Sequence, residues 1–361
     1  MIQRIVSILL AALLLLSLCP LAFADDDRVY IGTQPELVEF AERCASDTYS
    51  KGLTVLLTSD IDAGGLAISV PVFYGTFDGQ GYHIYSLSLT DSASGYGLFS
   101  RVETGAVVKN LTVRGDVTPD GTQTQVGGIA GTNAGTIDNC AFSGIVMGGD
   151  YVGGIAGKNE TGGTISLCQT SGVVRGTRFT GGIAGQNAGT VLNCTNKATV
   201  NTAVSEEDLS SGLEDVESTI YTLLKREDVK ENAVTTDTGG VAGYSNGILQ
   251  SCTNVGAVGY PHVGYNVGGI AGRQNGYMAS CVNRGKVQGR KDVGGIVGQM
   301  APDITLQFSS NGLEELQTEL NGLHNLIDAT LDDAQSASGT VSGRITRISG
   351  YADAARDSAH S

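Results

Sequence analysis

Tryptophan is absent from this chain of 361 residues, and there are only six prolines. Aromatic residues of all kinds make up 6% of it, a content that fits a core of Val, Ile, Ala and Cys rather than one of large rings. Basic residues are also few, because 22 Lys and Arg stand against 37 Asp and Glu, for a net charge of −15. This balance argues against nucleic acid or an anionic membrane as a partner, since both attract a basic surface.

What the chain does contain is a hexapeptide that recurs. The first copy, Val-Gly-Gly-Ile-Ala-Gly, occupies residues 126–131, and related copies start at Val152, Thr180, Thr238, Val267 and Val293. The starts are 26, 28, 58, 29 and 26 residues apart, so the long step is either a doubled period or one period with an insertion. Repeats of this length indicate units that stack and bury their apolar faces only against their neighbours.

Each repeat is predicted to hold three short strands, with the sequences Gly-Gly-Ile-Ala, Thr-Ile-x-Asn-Cys and Gly-x-Val. Helical repeats are excluded because no window of the array has a period of 3.6 and glycine is frequent throughout. Three strands in a coil of 26 residues predict an all-β solenoid, in which the chain winds as a parallel β-helix.

Five cysteines share one position in the repeat. Neighbouring turns of a solenoid lie about 4.8 Å apart, which is marginal for the Cβ separation of a disulfide. Zinc is not indicated, because the sequence shows no Cys-x-x-Cys pair with a His partner. We therefore expect a buried column of free thiols that act as small apolar side chains. Its members are Cys140, Cys168, Cys194, Cys252 and Cys281.

The segments around the array suggest a domain division. Residues 1–24 are predicted to be a cleaved secretory signal, so that no stable membrane span remains in the mature chain. Residues 25–69 are predicted to cap the first turn, with a short helix from Gln34 that starts at a capping box of Thr33 and Glu36. The β-helix itself is expected over residues 70–302.

Two acidic segments interrupt or follow the array. Residues 202–237 carry ten acidic and three basic residues, and apolar spacings of three and four within 205–230 predict an inserted helix. Residues 303–361 have near-heptad apolar spacing, which predicts an acidic, helical, coiled-coil-like segment. One hypothesis for the chain is therefore self-association through these helices, with the solenoid as a spacer.

The Gly-Gly-Ile-Ala-Gly core, the glycine turn after it and the Asn-Cys strand together resemble the GLUG-motif repeats of bacterial surface proteins, over residues 50–300. The resemblance implies an extracellular, right-handed β-helix with an adhesin-like role. Related repeats flank the catalytic domain of immunoglobulin A metallopeptidases. That domain needs a His-Glu-x-x-His motif, which this sequence lacks, so no peptidase activity carries over.

No catalytic, cofactor-binding or metal-binding set of residues is predicted. Asp60, Asp62 and Asp78 lie near one another in sequence, but Asp78 is expected to accept a backbone hydrogen bond within its own turn. The leading hypothesis is a secreted or cell-surface, non-enzymatic structural or adhesive protein that presents a β-helix to a glycan or an extracellular protein. The alternative is a polysaccharide-active lyase or hydrolase, whose carboxylates from successive turns meet in a groove.

Five residues around the longest regular repeat form a candidate ligand surface. Exposed tyrosines can stack on sugars or peptides, although ordinary surface tyrosines would give the same pattern. The members are Tyr244, Tyr260, His262, Tyr265 and Tyr277.

Overall fold

The computed structural model describes residues 28–46, 48–90, 96–119, 123–202 and 235–301. These residues form a parallel β-solenoid of about eight turns with very little helix, which confirms the predicted fold class. The short strands stack into four sheets, A to D, and the strands of each sheet pair in parallel. A regular turn passes through sheets D, C, A and B in that order.

Sheets A and B carry the second half of each turn. Sheet A contains β1 (Arg28–Ile31), β2 (Thr54–Leu57), β5 (Thr76–Asp78), β8 (Val107–Lys109), β12 (Thr136–Asp138), β16 (Thr164–Ser166), β20 (Thr190–Leu192), β25 (Ile248–Gln250) and β29 (Tyr277–Ala279). Sheet B contains β3 (Ile61–Asp62), β6 (His83–Leu89), β9 (Thr112–Val117), β13 (Ala141–Met147), β17 (Gln169–Arg175), β21 (Thr195–Asn196), β22 (Thr199–Val200), β26 (Thr253–Asn254) and β30 (Val282–Asn283).

Sheets C and D carry the first half of each turn. Sheet C contains β4 (Val70–Phe73), β7 (Phe99–Val102), β11 (Ala130–Asn133), β15 (Ala156–Asn159), β19 (Ala184–Asn187), β24 (Ala242–Ser245), β28 (Ala271–Gln274) and β32 (Val297–Met300). Sheet D contains β10 (Val126–Gly127), β14 (Asp150–Gly153), β18 (Arg178–Gly181), β23 (Thr236–Gly239), β27 (Tyr265–Gly268) and β31 (Lys291–Gly294).

The regular turns contain four strand positions, not the three that the sequence predicted. The hexapeptide is not one strand, because it crosses the corner between sheets D and C. In the second copy, β14 ends at Gly153 and β15 begins at Ala156. The N–H groups of Ile155 and Ala156 both donate to the carbonyl oxygen of Ile183 in the next turn, at 2.9 and 3.0 Å. The chain therefore bends at this point, and the isoleucine side chain is fully buried.

The pairing of strands resolves the long step in the repeat. Thr180 of β18 pairs directly with Thr238 of β23, and Gln186 of β19 pairs with Tyr244 of β24. The 58-residue step is therefore one period that carries an insertion. The helix predicted within that insertion lies outside the described residues.

The N-terminal helix predicted from the capping box is present as α1 (Gln34–Arg43). The carboxylate of Glu36 accepts hydrogen bonds from the N–H groups of Gly32 and Thr33, at 2.8 and 3.0 Å. The buried ring of Phe40 lies 6.2 Å from that of Phe73 in β4, measured between centroids. Helix α1 thus packs on the apolar interior of the early turns, and its role as a cap stays a prediction.

The interior of the solenoid combines apolar columns with buried amides. Asn133, Asn159 and Asn187 occupy the last position of β11, β15 and β19 and are at most 1% exposed. The Nδ2 of each amide donates to the next side chain of the column, at 2.8 Å within the Asn133–Asn159–Asn187 series. Because buried polar groups are costly unless they are paired, this ladder satisfies its own members and fixes the register of sheet C.

One buried carboxyl is expected to make the stability of the solenoid depend on pH. Asp116 in β9 is 6% exposed, and its Oδ1 atom has no hydrogen-bond partner within the described residues. Burial raises the pKa of Asp116 to about 6, although a hydrogen bond with the backbone of Ile145 opposes the shift. Because the folded chain holds this proton more tightly than the unfolded chain does, stability should fall as the pH rises from about 4 to about 6.

The variant Asp116→Asn should lack this decrease and should be more stable than the parent at neutral pH by about 1–2 kcal/mol. Urea denaturation at about pH 4.5 and about pH 7 measures the difference. Asp292→Asn removes the same charge at an exposed position, so it should keep the decrease. Equal behaviour of the two variants would contradict the assignment to Asp116.

Several predicted segments fall outside the residues described above. These are the signal sequence at 1–24, the helix within 202–237 and the coiled-coil-like segment at 303–361. All the described residues belong to one compact unit of the chain. Among the described residues, no helix combines the length and the apolar character that a membrane crossing needs.

Candidate ligand-binding surface

The five repeat cysteines lie in one column at the corner between sheets A and B. Cys140, Cys168, Cys194 and Cys252 are buried, Cys281 is half-buried, and all five are free thiols. The residue before each cysteine has a positive φ of 50–53°. This conformation suits the Asn and Ser found at four of these positions, because short polar side chains tolerate it.

Burial and the adjacent thiols of Cys140 and Cys194 raise the pKa of Cys168 well above its ordinary value. The thiol of Cys194 likewise raises the pKa of Cys252 to about 12. Since the thiolate is the reactive form of cysteine, the thiols of Cys168 and Cys252 are poor nucleophiles, and they serve as packing groups.

The acidic residues near the N-terminus accept hydrogen bonds from the backbone. Asp78 accepts a hydrogen bond from the N–H of Gln80 at 2.9 Å, as predicted, and a second from Asn110 Nδ2 at 3.0 Å. Although burial opposes the shift, these bonds hold the pKa of Asp78 below its ordinary value. Asp60 and Asp62 also accept backbone N–H groups. Within the described part of the chain, no three His, Cys, Asp or Glu side chains are arranged to hold a metal ion.

The five residues of the predicted ligand surface do not share one face. Tyr244 lies in β24 of sheet C, and Tyr265 lies in β27 of the adjacent sheet D. Tyr260 and His262 are exposed in the turn that leads to β27. Tyr277 lies in β29 of sheet A, where it is 60% exposed and separated from the others. Four of the five residues thus lie in sheet D or next to it.

The sequence reasoning missed two aromatic residues that join this side. Tyr151 in β14 and Phe179 in β18 stack with ring centroids 4.9 Å apart and planes inclined by 14°. The ring of Tyr244 follows at 5.9 Å from that of Phe179. We name Tyr151, Phe179 and Tyr244 the aromatic strip. It crosses three consecutive turns at the corner between sheets D and C, and its rings are half-buried.

Charged groups border the aromatic strip. The Nζ of Lys158 lies 4.0 Å from the centroid of the Tyr151 ring, and the guanidinium carbon of Arg273 lies 4.8 Å from that of Tyr244. Arg273 also pairs with the buried carboxylate of Asp237 at 3.1 Å. Rings held in place can stack on the apolar face of a sugar or on an aromatic side chain, and the cations beside them can bind acceptor groups of the same ligand.

The backbone at the strip is unusual. Tyr151 and Phe179 have φ values of 57° and 56°, whereas the same column holds Asp237 and Asn266 in later turns. A bulky side chain in this left-handed region costs about 1–2 kcal/mol relative to a relaxed backbone. The stacking of the rings offsets part of this cost. Because the left-handed backbone disfavours bulky side chains, the conformational preference of the backbone does not explain why aromatic residues stand at these positions.

A signal for the strip is present in the sequence. Tyr151 and Phe179 stand immediately before the second and third hexapeptides, and Tyr244 stands immediately after the fourth. The residue before a hexapeptide and the residue after it lie in neighbouring columns only because the hexapeptide bends. The bend at the corner between sheets D and C brings the two ends of the hexapeptide to the same side of the solenoid. A reading of the hexapeptide as one straight strand hides this relation.

Comparison with known proteins supports the repeat assignment. The family model described as "The GLUG motif" matches residues 122–147. The chain is also similar to halomucin of Haloquadratum walsbyi, with 38% identity over 89 residues. That match covers 24% of this chain and 1% of halomucin, so it concerns a small part of a much larger protein. No solved structure matches the chain.

The residues matched by the family model include the first hexapeptide, its glycine turn and Cys140, and they end with β13. They correspond to one complete turn of the solenoid, and the later turns repeat it in register. One turn of this β-solenoid, residues 122–147, therefore matches the GLUG motif.

Proposed function

We propose that the chain is an exported, non-enzymatic surface protein whose solenoid holds an adhesive surface in a fixed geometry. The aromatic strip carries this proposal, because three rings from consecutive turns are held together at one corner although two of them strain the backbone. The similarity to halomucin and the GLUG motif agrees with a location at the cell surface. The ligand class is a surface glycan or an extracellular protein.

The architecture suits this role. Each turn is held by its neighbours through parallel hydrogen bonds, so side chains of one column keep a constant separation along the axis. In this proposal the solenoid is right-handed, α1 covers its first turn, and the acidic segments at 202–237 and 303–361 serve attachment or self-association.

Export is tested in cells that carry the chain with its own leader. We expect the N-terminus of the mature protein to be Asp25, and we expect protease added to intact cells to remove the protein. A chain that keeps residues 1–24 and resists protease until the cells are lysed would contradict export.

Adhesion is tested by probing arrays of glycans and extracellular proteins with residues 25–361. The double variant Tyr151→Asn/Phe179→Asn should weaken binding about tenfold or more, because it removes the stacked rings. Asparagine tolerates the left-handed backbone, so the stability of the variant should stay within about 1 kcal/mol of the parent.

A matched control replaces two exposed tyrosines away from the strip, in the variant Tyr30→Asn/Tyr85→Asn. This control should bind as the parent does. If the parent binds no ligand of either array, or if the two double variants bind equally, the adhesive role of the strip is wrong.

A further inference from the structure

The last described turns carry a concentration of positive charge. Residues 284–291 contain four basic residues and no acidic one, in a chain whose net charge is −15. All four are exposed, and none forms an ion pair with another described residue. We name this set the basic corner, since it lies where the chain passes from β30 of sheet B to β31 of sheet D. Its members are Arg284, Lys286, Arg290 and Lys291.

The basic corner adjoins aromatic side chains of the preceding turn. Lys291 is the direct strand partner of Tyr265. The N–H groups of Arg290 and Lys291 both donate to the carbonyl oxygen of Gly264, at 3.0 and 3.3 Å. The guanidinium carbon of Arg290 lies 5.8 Å from the centroid of the Tyr265 ring. Arg290, Lys291 and the half-buried ring of Tyr265 therefore form one surface.

The electrostatics of this surface favour an anionic ligand. The four cations lie within eight residues of sequence, which Asp292 follows directly, and no carboxylate among the described residues forms an ion pair with any of them. Some basic side chains elsewhere in the solenoid do pair with a carboxylate, as Arg178 does with Asp150 and Arg273 with Asp237. Acidic groups of a ligand would supply the missing partners, and guanidinium binds a planar carboxylate or a sulfate through two donors.

The ring beside the cations narrows the class of ligand. A sugar ring can lie against Tyr265 while its acidic substituent reaches Arg290 or Lys291. Resting on the adhesive role proposed above, we propose that the basic corner binds an acidic polysaccharide, one that carries carboxylate or sulfate groups.

The test measures binding of three polysaccharides to residues 25–361, namely polygalacturonate as the carboxylated probe, heparin as the sulfated probe and dextran as the neutral probe. At least one acidic probe should bind, its affinity should fall as salt is added, and dextran should not bind. The double variant Arg290→Glu/Lys291→Glu should weaken binding of the acidic probe about tenfold or more, and Tyr265→Ala should weaken it as well.

The control Lys51→Glu/Arg114→Glu makes the same change of net charge at two exposed positions on distant turns, and it should bind within about twofold of the parent. Equal losses in the two charge-reversed variants would show a general field effect and would overturn the proposal. Binding that appears only after deletion of residues 203–234 would also overturn it, because the chain's own acidic stretch would then be the partner of the basic corner.

The outcome of this test can be distinguished from the outcome of the array test of the aromatic strip. If neither acidic probe binds, but an array ligand is lost in the Tyr151→Asn/Phe179→Asn variant, the basic corner is wrongly assigned and the adhesive role stands. If an acidic probe binds through the basic corner while the aromatic strip has no effect, the strip is wrongly assigned.

Discussion

Gly154→Ala is expected to destabilise the solenoid by about 3 kcal/mol, because the new methyl group has no room. A Cβ atom built at Gly154 overlaps Thr170 Cγ2 within the same turn and the carbonyl oxygen of Gly182 in the next turn. Neither neighbour can withdraw easily, since both belong to turns held on two sides by parallel hydrogen bonds. Urea denaturation of the parent and the variant measures the loss of free energy of unfolding.

The chain offers a control at the equivalent position of the last hexapeptide. A Cβ atom built at Gly295 has nothing within 4 Å. Gly295→Ala therefore makes the same chemical change at the same point of the motif without the overlap, and its effect should stay below about 1 kcal/mol. If the two variants lose equal stability, the second glycine of the hexapeptide is required for a reason other than the close approach of turns.

Asn159→Ala is expected to cost about 3 kcal/mol, through the loss of the central member of the amide ladder. Asn159 accepts a hydrogen bond from Asn133 Nδ2 and donates one to Asn187 Oδ1, both at 2.8 Å. It also donates to the carbonyl oxygen of Gly163 at 3.1 Å. Removal leaves buried polar atoms of two turns without these partners, and each such atom costs about 1–3 kcal/mol.

Thermal or urea unfolding of Asn159→Ala should be compared with that of Gln186→Ala. Gln186 lies in the next turn, one position before the ladder, and its side chain is only half-buried. That variant should lose less than about 0.5 kcal/mol. A small effect of Asn159→Ala, equal to that of the control, would mean that the amide ladder does not contribute to the stability of the solenoid.

The stacked fold and the thiol column were predictable from the sequence because both repeat. Each hexapeptide and each cysteine falls once per period, and identical positions of a stacked repeat must become neighbours in space. The period also gave the two alternatives for the 58-residue step. It could not choose between them, since the choice depends on the direct pairing of Thr180 with Thr238.

The corner within the hexapeptide was not predictable from apolar pattern. Gly-Gly-Ile-Ala is a continuous apolar run, which is what a buried strand looks like, and Ile155 is buried whether the chain bends or not. The bend depends on the way two N–H groups share one carbonyl oxygen of the next turn, which is a contact between repeats. This error then concealed the aromatic strip.

The grouping of Tyr244, Tyr260, His262, Tyr265 and Tyr277 relied on proximity along the chain, which is a poor guide in a solenoid. Twelve residues separate Tyr265 from Tyr277, and this distance is enough to carry the chain from sheet D past sheet C to sheet A. By contrast, Tyr151 and Phe179 are 28 residues apart and stack directly. In this fold, a separation of one period means contact, and a fraction of a period means a different face.

The place where the long insertion leaves the solenoid has a use in protein engineering. The backbone runs in register up to Val200, which bridges Val258 of the following turn, and it is again in register at Thr236, which pairs with Arg178. The two turns therefore stack in register although more than thirty residues lie between Val200 and Thr236. A loop of almost any size whose ends come close together could be grafted at this point, for example an epitope or a small enzyme, without redesign of the surrounding coils.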